Sequence, residues 1–202
     1  MSKNLLAEVT AKATFVPEIY KVDGIQFRIG IVQNMPLFMG LSVSEVIFGD
    51  GWSGPAIIFS LDDVRKMVES KGKNYTGKFL SFVAGHEVGH MVQFKEHKTD
   101  DSFKVNQLVV SNSMEIEADC YSLKHTGLSI RDYKDFVDQI KKGSRSVYAA
   151  VQGPIVSRIA SFFDDIFLDK RMKNAIKMVG GTRSVSIDMV YSKIAEDVIK
   201  NI

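Results

Sequence analysis

The chain of 202 residues predicts an α+β fold: a small N-terminal β-sheet followed by a mostly helical core that carries the H-E-x-x-H helix and ends in a helical C-terminal extension. Three observations carry that expectation. Apolar residues alternate at period two near the N-terminus, they shift to three- and four-residue steps beyond Tyr75, and strands precede helices instead of alternating with them. Charged residues at 25% and hydrophobic ones at 45% give an ordinary globular balance, which excludes disorder and a disulfide-stapled miniprotein. With 26 Lys plus Arg against 24 Asp plus Glu, the net charge of +2 is too small to draw a polyanion, so nucleic acid is not an expected partner. The single cysteine, Cys120, has no internal disulfide partner, and MSKNLLAEVT lacks the apolar run of a secretory signal; a cytoplasmic location is expected. The most apolar stretch, Met35 to Ser60, is interrupted by residues such as Pro36, Gly40, Asp50 and Pro55, so no membrane partner is expected either.

The spacing predicts a short helix over Asn4 to Thr14, ended before Pro17, which cannot donate into a helical ladder. In Ile25-Gln26-Phe27-Arg28-Ile29-Gly30-Ile31 every second residue is apolar, the mark of a half-buried strand. Further strands are expected at Leu41 to Phe48 and Ala56 to Phe59, around the loop Gly49-Asp50-Gly51-Trp52-Ser53-Gly54-Pro55. Trp52 either lines one end of a cleft or plugs the core. Ser60-Leu61-Asp62-Asp63 reads as a capping box opening a helix to about Ser70, which Lys71-Gly72-Lys73-Asn74 ends. Helices are then expected at Tyr75 onward, Phe103 to Lys124, Ser129 to Lys142, Pro154 to Val179 with a break, and Ile187 to Lys200. One domain results, with 1–74 as helix plus sheet, 75–142 as the helical core and 143–202 as the helical extension.

The chemistry concentrates in Val83-Ala84-Gly85-His86-Glu87-Val88-Gly89-His90-Met91-Val92, an H-E-x-x-H pattern. A helix advances about 100° per residue, so positions i and i+4 share a face and can offer two imidazole nitrogens to one metal. Phe79, Phe82 and Val83 continue that stripe into the core. Glu87, one residue along, can reach water beside the metal and act as general base. Catalytic zinc takes a third protein ligand, and Met114-Glu115-Ile116-Glu117-Ala118-Asp119 places Glu115 and Asp119 at a second i, i+4 pair. Glu115 is the candidate ligand. Asp119 can accept a hydrogen bond from the other nitrogen of a ligating histidine, while Glu117 points to solvent.

Together, His86-Glu87-Val88-Gly89-His90 and Glu115-Ile116-Glu117-Ala118-Asp119 resemble the gluzincin metallopeptidases, most closely the group holding the CAAX prenyl protease, the heat-shock membrane protease and the small soluble minigluzincins. The resemblance covers roughly residues 75 to 130. It implies zinc held by His86, His90 and Glu115, Glu87 as catalytic base, Asp119 in support, and a protein or peptide substrate whose bonds are hydrolysed. It also implies a substrate lying extended along an edge strand, for which Ala56 to Phe59 is the candidate. The family's membrane spans are missing, which points to a soluble relative. Leu168-Asp169-Lys170-Arg171-Met172 is faintly similar to a late His-Pro and Arg element of that group, but the His-Pro is absent and no role is carried over.

The metzincin pattern does not fit, because Gln93 stands where its glycine belongs and Glu96 where its third histidine belongs; His97 is one place off. His125 is a candidate oxyanion stabiliser, although the helix dipole alone favours a histidine in a last turn. Tyr121, Arg131, Tyr133 and Tyr148 are further donors for that role, and Cys120 is expected to pack. The extension from Pro154 to Ile202 carries Ile155, Ile159, Phe162, Phe163, Ile166 and Phe167. It either completes the core or, hinged at Gly143-Ser144 and Gly153-Pro154, covers the cleft as a lid. A latent or non-proteolytic zinc-fold binding protein, or a regulatory protease cleaving one partner protein, is the alternative function.

Overall fold

The structure, a computed structural model, describes residues 11–33, 40–47, 52–96, 112–152, 154–180 and 189–202. The expectations for Asn4 to Thr10, for Phe103 to Ser111 and for His97 lie outside them. Five strands form a small sheet: β1 (Thr14–Phe15), β2 (Tyr20–Val22), β3 (Ile25–Val32), β4 (Gly40–Ile47) and β5 (Ser53–Ser60). Asp23 (φ 48°) and Gly24 (φ 71°) join β2 to β3 in the left-handed region that a two-residue hairpin loop requires. Alternation along β3 buries Ile25, Phe27 and Ile29 on the core face, as its sequence predicts. At its other end β3 pairs antiparallel with β1.

The order across the sheet is β1-β3-β5-β4, with β3 and β5 parallel and β4 antiparallel to β5. Ala56 to Phe59 is therefore an inner strand, not the expected edge. Its physical reason is visible in the chain: Ala56, Ile57, Ile58 and Phe59 are all 0% exposed, and an unbroken apolar run suits a strand covered on both faces. Among the described strands β4 forms that border of the sheet instead. Trp52 lies across Gly54, with the Arg28 guanidinium 5.2 Å from its ring centroid.

Six helices follow among the described residues: α1 (Leu61–Lys71), α2 (Lys73–Glu96), α3 (Asn112–Thr126), α4 (Ile130–Gln152), α5 (Pro154–Val179) and α6 (Met189–Lys200). Ser60 is at once the last residue of β5 and the cap of α1, its Oγ accepting from the Asp63 N–H at 3.4 Å. Gly72, at φ 83°, stops α1 and lets α2 start at once. Two expected interruptions are absent: α4 runs through Gly143, and α5 is unbroken from Pro154 to Val179. A helix-interior glycine costs only about 1 kcal/mol, which the surrounding turns absorb, so the boundary expected after Lys142 falls inside a helix.

α2 is the axis of the molecule, buried around its circumference by Thr76, Phe79, Leu80, Phe82, Ala84 and Val88. On one side it meets α3 through Gly85 and Gly89. A Cβ on Gly89 would lie 2.9 Å from the Ala118 Cα, and one on Gly85 would lie 2.7 Å from the Ser122 Oγ, so both positions exclude any side chain. Ser122 Oγ also donates to the Phe82 carbonyl across the same crossing at 2.8 Å. On another side α6 packs Tyr191, Ile194, Ala195 and Val198 into the core, and Ser81 Oγ donates to the Tyr191 carbonyl at 3.2 Å. α4 adds Tyr133 and Phe136, whose ring stands edge-on to Phe79 at 5.1 Å. Tyr20 on β2 donates to Asp197 on α6 at 2.6 Å, tying the first hairpin to the last helix.

The C-terminal helices are thus core elements. A chain truncated after Gly153 loses Leu168, Ala175, Tyr191, Ile194 and Val198 from that core. It is expected to be insoluble or molten, read as loss of near-ultraviolet circular dichroism and of NMR dispersion; a fragment with native signals would contradict this packing. Gly89→Ala must drive α2 and α3 apart against backbone, and is expected to cost about 1–3 kcal/mol in denaturant titration. An unchanged midpoint would show that the crossing yields freely.

Candidate metal centre

His86 and His90 lie one turn apart on α2, and Glu115 and Asp119 lie one turn apart on the facing side of α3. The Gly85 and Gly89 crossing brings the two pairs together. His90 Nε2 stands 3.0 Å from His86 Nε2 and 3.3 Å from Glu115 Oε1, and His86 Nε2 stands 3.5 Å from Glu115 Oε2. Donors about 2.1 Å from one tetrahedral centre stand roughly 3.4 Å apart, so these side chains fit a zinc ion. One ligand atom from each of the three residues lies within 4.8 Å of the others.

The imidazoles are aimed by what holds their other nitrogen. Asp119 is 1% exposed and accepts from His86 Nδ1–H through Oδ1 at 2.9 Å, as the sequence anticipates. His90 Nδ1 meets Gln93 Oε1 at 3.0 Å. A proton held at each Nδ1 leaves Nε2 as the nitrogen turned to the centre, which gives up any proton of its own when it ligates a metal. Glu87, half-buried on the same helix, lies near enough for its charge to act on His90.

Arg171 of α5 completes the group, and sequence reasoning gave it no role. Its Nε donates to Asp119 Oδ2 at 2.5 Å, its Nη2 to Asp119 Oδ1 at 2.6 Å, and its Nη1 to Glu115 Oε2. Tyr133 OH adds a further donor to Asp119 Oδ2 at 2.6 Å. No periodicity marks a lone arginine 56 positions after Glu115; only the weak similarity around Leu168 to Met172 touched it.

These contacts dominate the local electrostatics. Burial alone would raise Glu115, but the hydrogen bond with His90 and the charges of Arg171 and His86 outweigh it and hold the carboxyl down at about 2. Asp119 is likewise kept well below the usual carboxylate range, against its burial, by Arg171 and by His86. For His90 burial works downward, while the hydrogen bond to Glu115 and the Glu87 charge prevail and raise it. Both carboxylates thus stay ionised, the form that binds metal or aligns a ligand.

The remaining candidates fall outside the group. His125 stacks on Tyr121 at 4.2 Å between ring centroids, about 15 Å along α3 from Glu115 at 1.5 Å per residue. Tyr121 OH donates to Asp23 at 2.5 Å and Tyr191 OH donates to Tyr121 at 3.2 Å. Cys120 is buried, with its Sγ 3.7 Å from the Ala175 carbonyl, and burial pushes the thiol up to about 11. Glu96 and Arg131 are exposed, as is Glu117. Among the described residues no helix is long and apolar enough to cross a membrane. No protein-family model, curated protein or solved structure matches the chain.

Removing Arg171 leaves two buried carboxylates without their cation. Arg171→Met is expected to destabilise the protein by about 3–5 kcal/mol, and saturating zinc is expected to restore part of that, because a divalent cation offsets the same charge. Denaturant titrations with and without zinc measure both; a full-stability variant would remove Arg171 from the centre.

Proposed function

We propose that the chain is a zinc-dependent metalloendopeptidase of the gluzincin type. The observation that supports this best is the convergence of His86 Nε2, His90 Nε2 and the Glu115 carboxylate from two helices, with Glu87 one residue along the first. His86, His90 and Glu115 would hold zinc. When bound, zinc supplies Lewis acidity to a substrate carbonyl and makes water acidic enough to lose a proton near neutral pH. Glu87 takes that proton as water attacks the peptide carbonyl and returns it to the leaving amine nitrogen. Asp119 keeps the His86 ring turned and its Nδ1 protonated throughout, and Tyr133 with Arg171 keeps Asp119 itself from turning.

An extended peptide substrate would add to the border strand β4, which packs against α2, the helix that carries both histidines. The peptide would then lie one strand outward from Ala56 to Phe59. The cavity of about 640 Å³ between Lys73, Thr126, Asp132 and Lys200 is lined by none of Glu87, His86 and His90.

Two variants are expected to fail differently. Glu87→Gln retains about one zinc per chain, by elemental analysis, yet loses most turnover in a peptide-library digest, because the ligands remain and only proton transfer is lost. Asp119→Ala weakens zinc binding or activity by about 10- to 100-fold. Full cleavage by Glu87→Gln refutes the base, and wild-type protein that takes up no zinc refutes the centre.

A further inference from the structure

Gln93 belongs to the same helix face as His90, one turn on, and is buried at 7% exposure. Its side-chain amide is a bridge. Nε2 donates to the Met114 carbonyl at 2.9 Å and to Glu117 Oε2 at 3.1 Å, so both amide protons have acceptors on the first turn of α3. With Nε2 committed there, Oε1 must face the His90 ring, where it lies 3.0 Å from Nδ1. An amide oxygen only accepts, so His90 Nδ1 carries a proton and Nε2 is the nitrogen left to ligate. The opposite amide orientation would set Oε1 against the Met114 carbonyl and the Glu117 carboxylate, oxygen facing oxygen, and would turn the NH2 to His90 Nδ1, forcing the other tautomer.

We infer that Gln93 is a positioning residue for the proposed metal centre, fixing the His90 tautomer while holding the Met114–Glu117 turn that carries Glu115 at the matching height on α2. The inference rests on the zinc reading given above. Its basis is a division of labour: His86 is oriented by a carboxylate, Asp119, whereas His90 is oriented by a neutral amide whose other end grips the ligand-bearing turn of the neighbouring helix. One side chain therefore couples two of the three ligands, His90 and Glu115. A carboxylate at 93 would accept from His90 equally well but would have no proton for Met114, and would face the Glu117 carboxylate. The amide is the group that satisfies both neighbours.

The test uses the full chain, zinc itself and three proteins: wild type, Gln93→Leu and Gln93→Glu. Zinc affinity by competition with a chelating dye is expected to fall about 10- to 100-fold in Gln93→Leu, the usual cost of losing a partner that orients a ligand. Gln93→Glu, which keeps the acceptor for Nδ1–H, is expected to bind zinc more tightly than Gln93→Leu and less tightly than wild type. Nitrogen-15 NMR of zinc-loaded wild type should show His90 ligated through Nε2 with Nδ1–H hydrogen-bonded, and that signal should shift or exchange faster in Gln93→Leu. This measurement on wild type decides the matter even where Gln93→Leu fails to fold. Gln93→Leu binding zinc within about twofold of wild type, Gln93→Glu binding no better than Gln93→Leu, or His90 ligating through Nδ1 would each overturn the role of Gln93. Wild-type protein without zinc affinity would overturn the metal centre itself, a different result from wild-type binding that Gln93 does not affect.

Discussion

The close approach of two backbones governs this molecule. Gly85 and Gly89 leave no atoms between α2 and the Ala118 to Ser122 segment of α3, and a single methyl at Gly89 would already meet the Ala118 Cα at 2.9 Å. Imidazole and carboxylate side chains are short, so four of them converge only where their helices nearly touch. The same glycines that hold no side chains flank the histidines that hold the chemistry, alternating along α2 as Gly85-His86 and Gly89-His90. The closest helix contact and the convergence of the histidines thus come from the same short stretch, Gly85 to His90, each constraining the other.

That proximity creates an electrostatic problem, and the C-terminal half of the chain resolves it. Two ionised carboxylates beside two imidazoles, all largely buried, would lose several kcal/mol each to desolvation without compensating charge. Arg171 supplies the cation and three of the donors, Tyr133 supplies a fourth, and Gln93 satisfies His90 without adding charge. Around the centre the acids face Arg171 and Tyr133 as donors, and the imidazole Nδ1–H groups face acceptors. The helices after Lys142 are thus structural members of the centre instead of an appendage to it.

What was legible in the chain was local. His86, Glu87 and His90, and separately Glu115 and Asp119, announce themselves through i, i+4 spacing, because helical periodicity converts sequence distance directly into shared direction. Arg171 and Gln93 have no such signature: the first reaches Glu115 across 56 positions, and the second differs from a surface glutamine only by what packs over it. At Ala56 to Phe59 the edge expected from the sequence gives way to an inner strand, and the cue lies in the chain itself: an unbroken run of apolar residues suits a strand covered on both faces. Asp23-Gly24 carried an equally clear hairpin cue that the alternation in Ile25 to Ile31 overshadowed. Gly143 misled in the opposite direction, because a glycine punctuates a helix only when tertiary contacts do not bridge it.

The bond between Tyr20 and Asp197 joins residues 177 positions apart, and α2 lies between the segments it links. During synthesis from N- to C-terminus, α2 emerges with His86 and His90 long before Arg171, Tyr191 and Asp197 exist. Until those residues are present, Glu115 and Asp119 lack the Arg171 cation and α2 lacks the cover of α6. Such long-range closure belongs to slow-folding topologies. The helix that bears both histidines is therefore made well before the residues that cover it and balance the charge beside it, so the order in which the chain is made differs from the order in which its contacts can close.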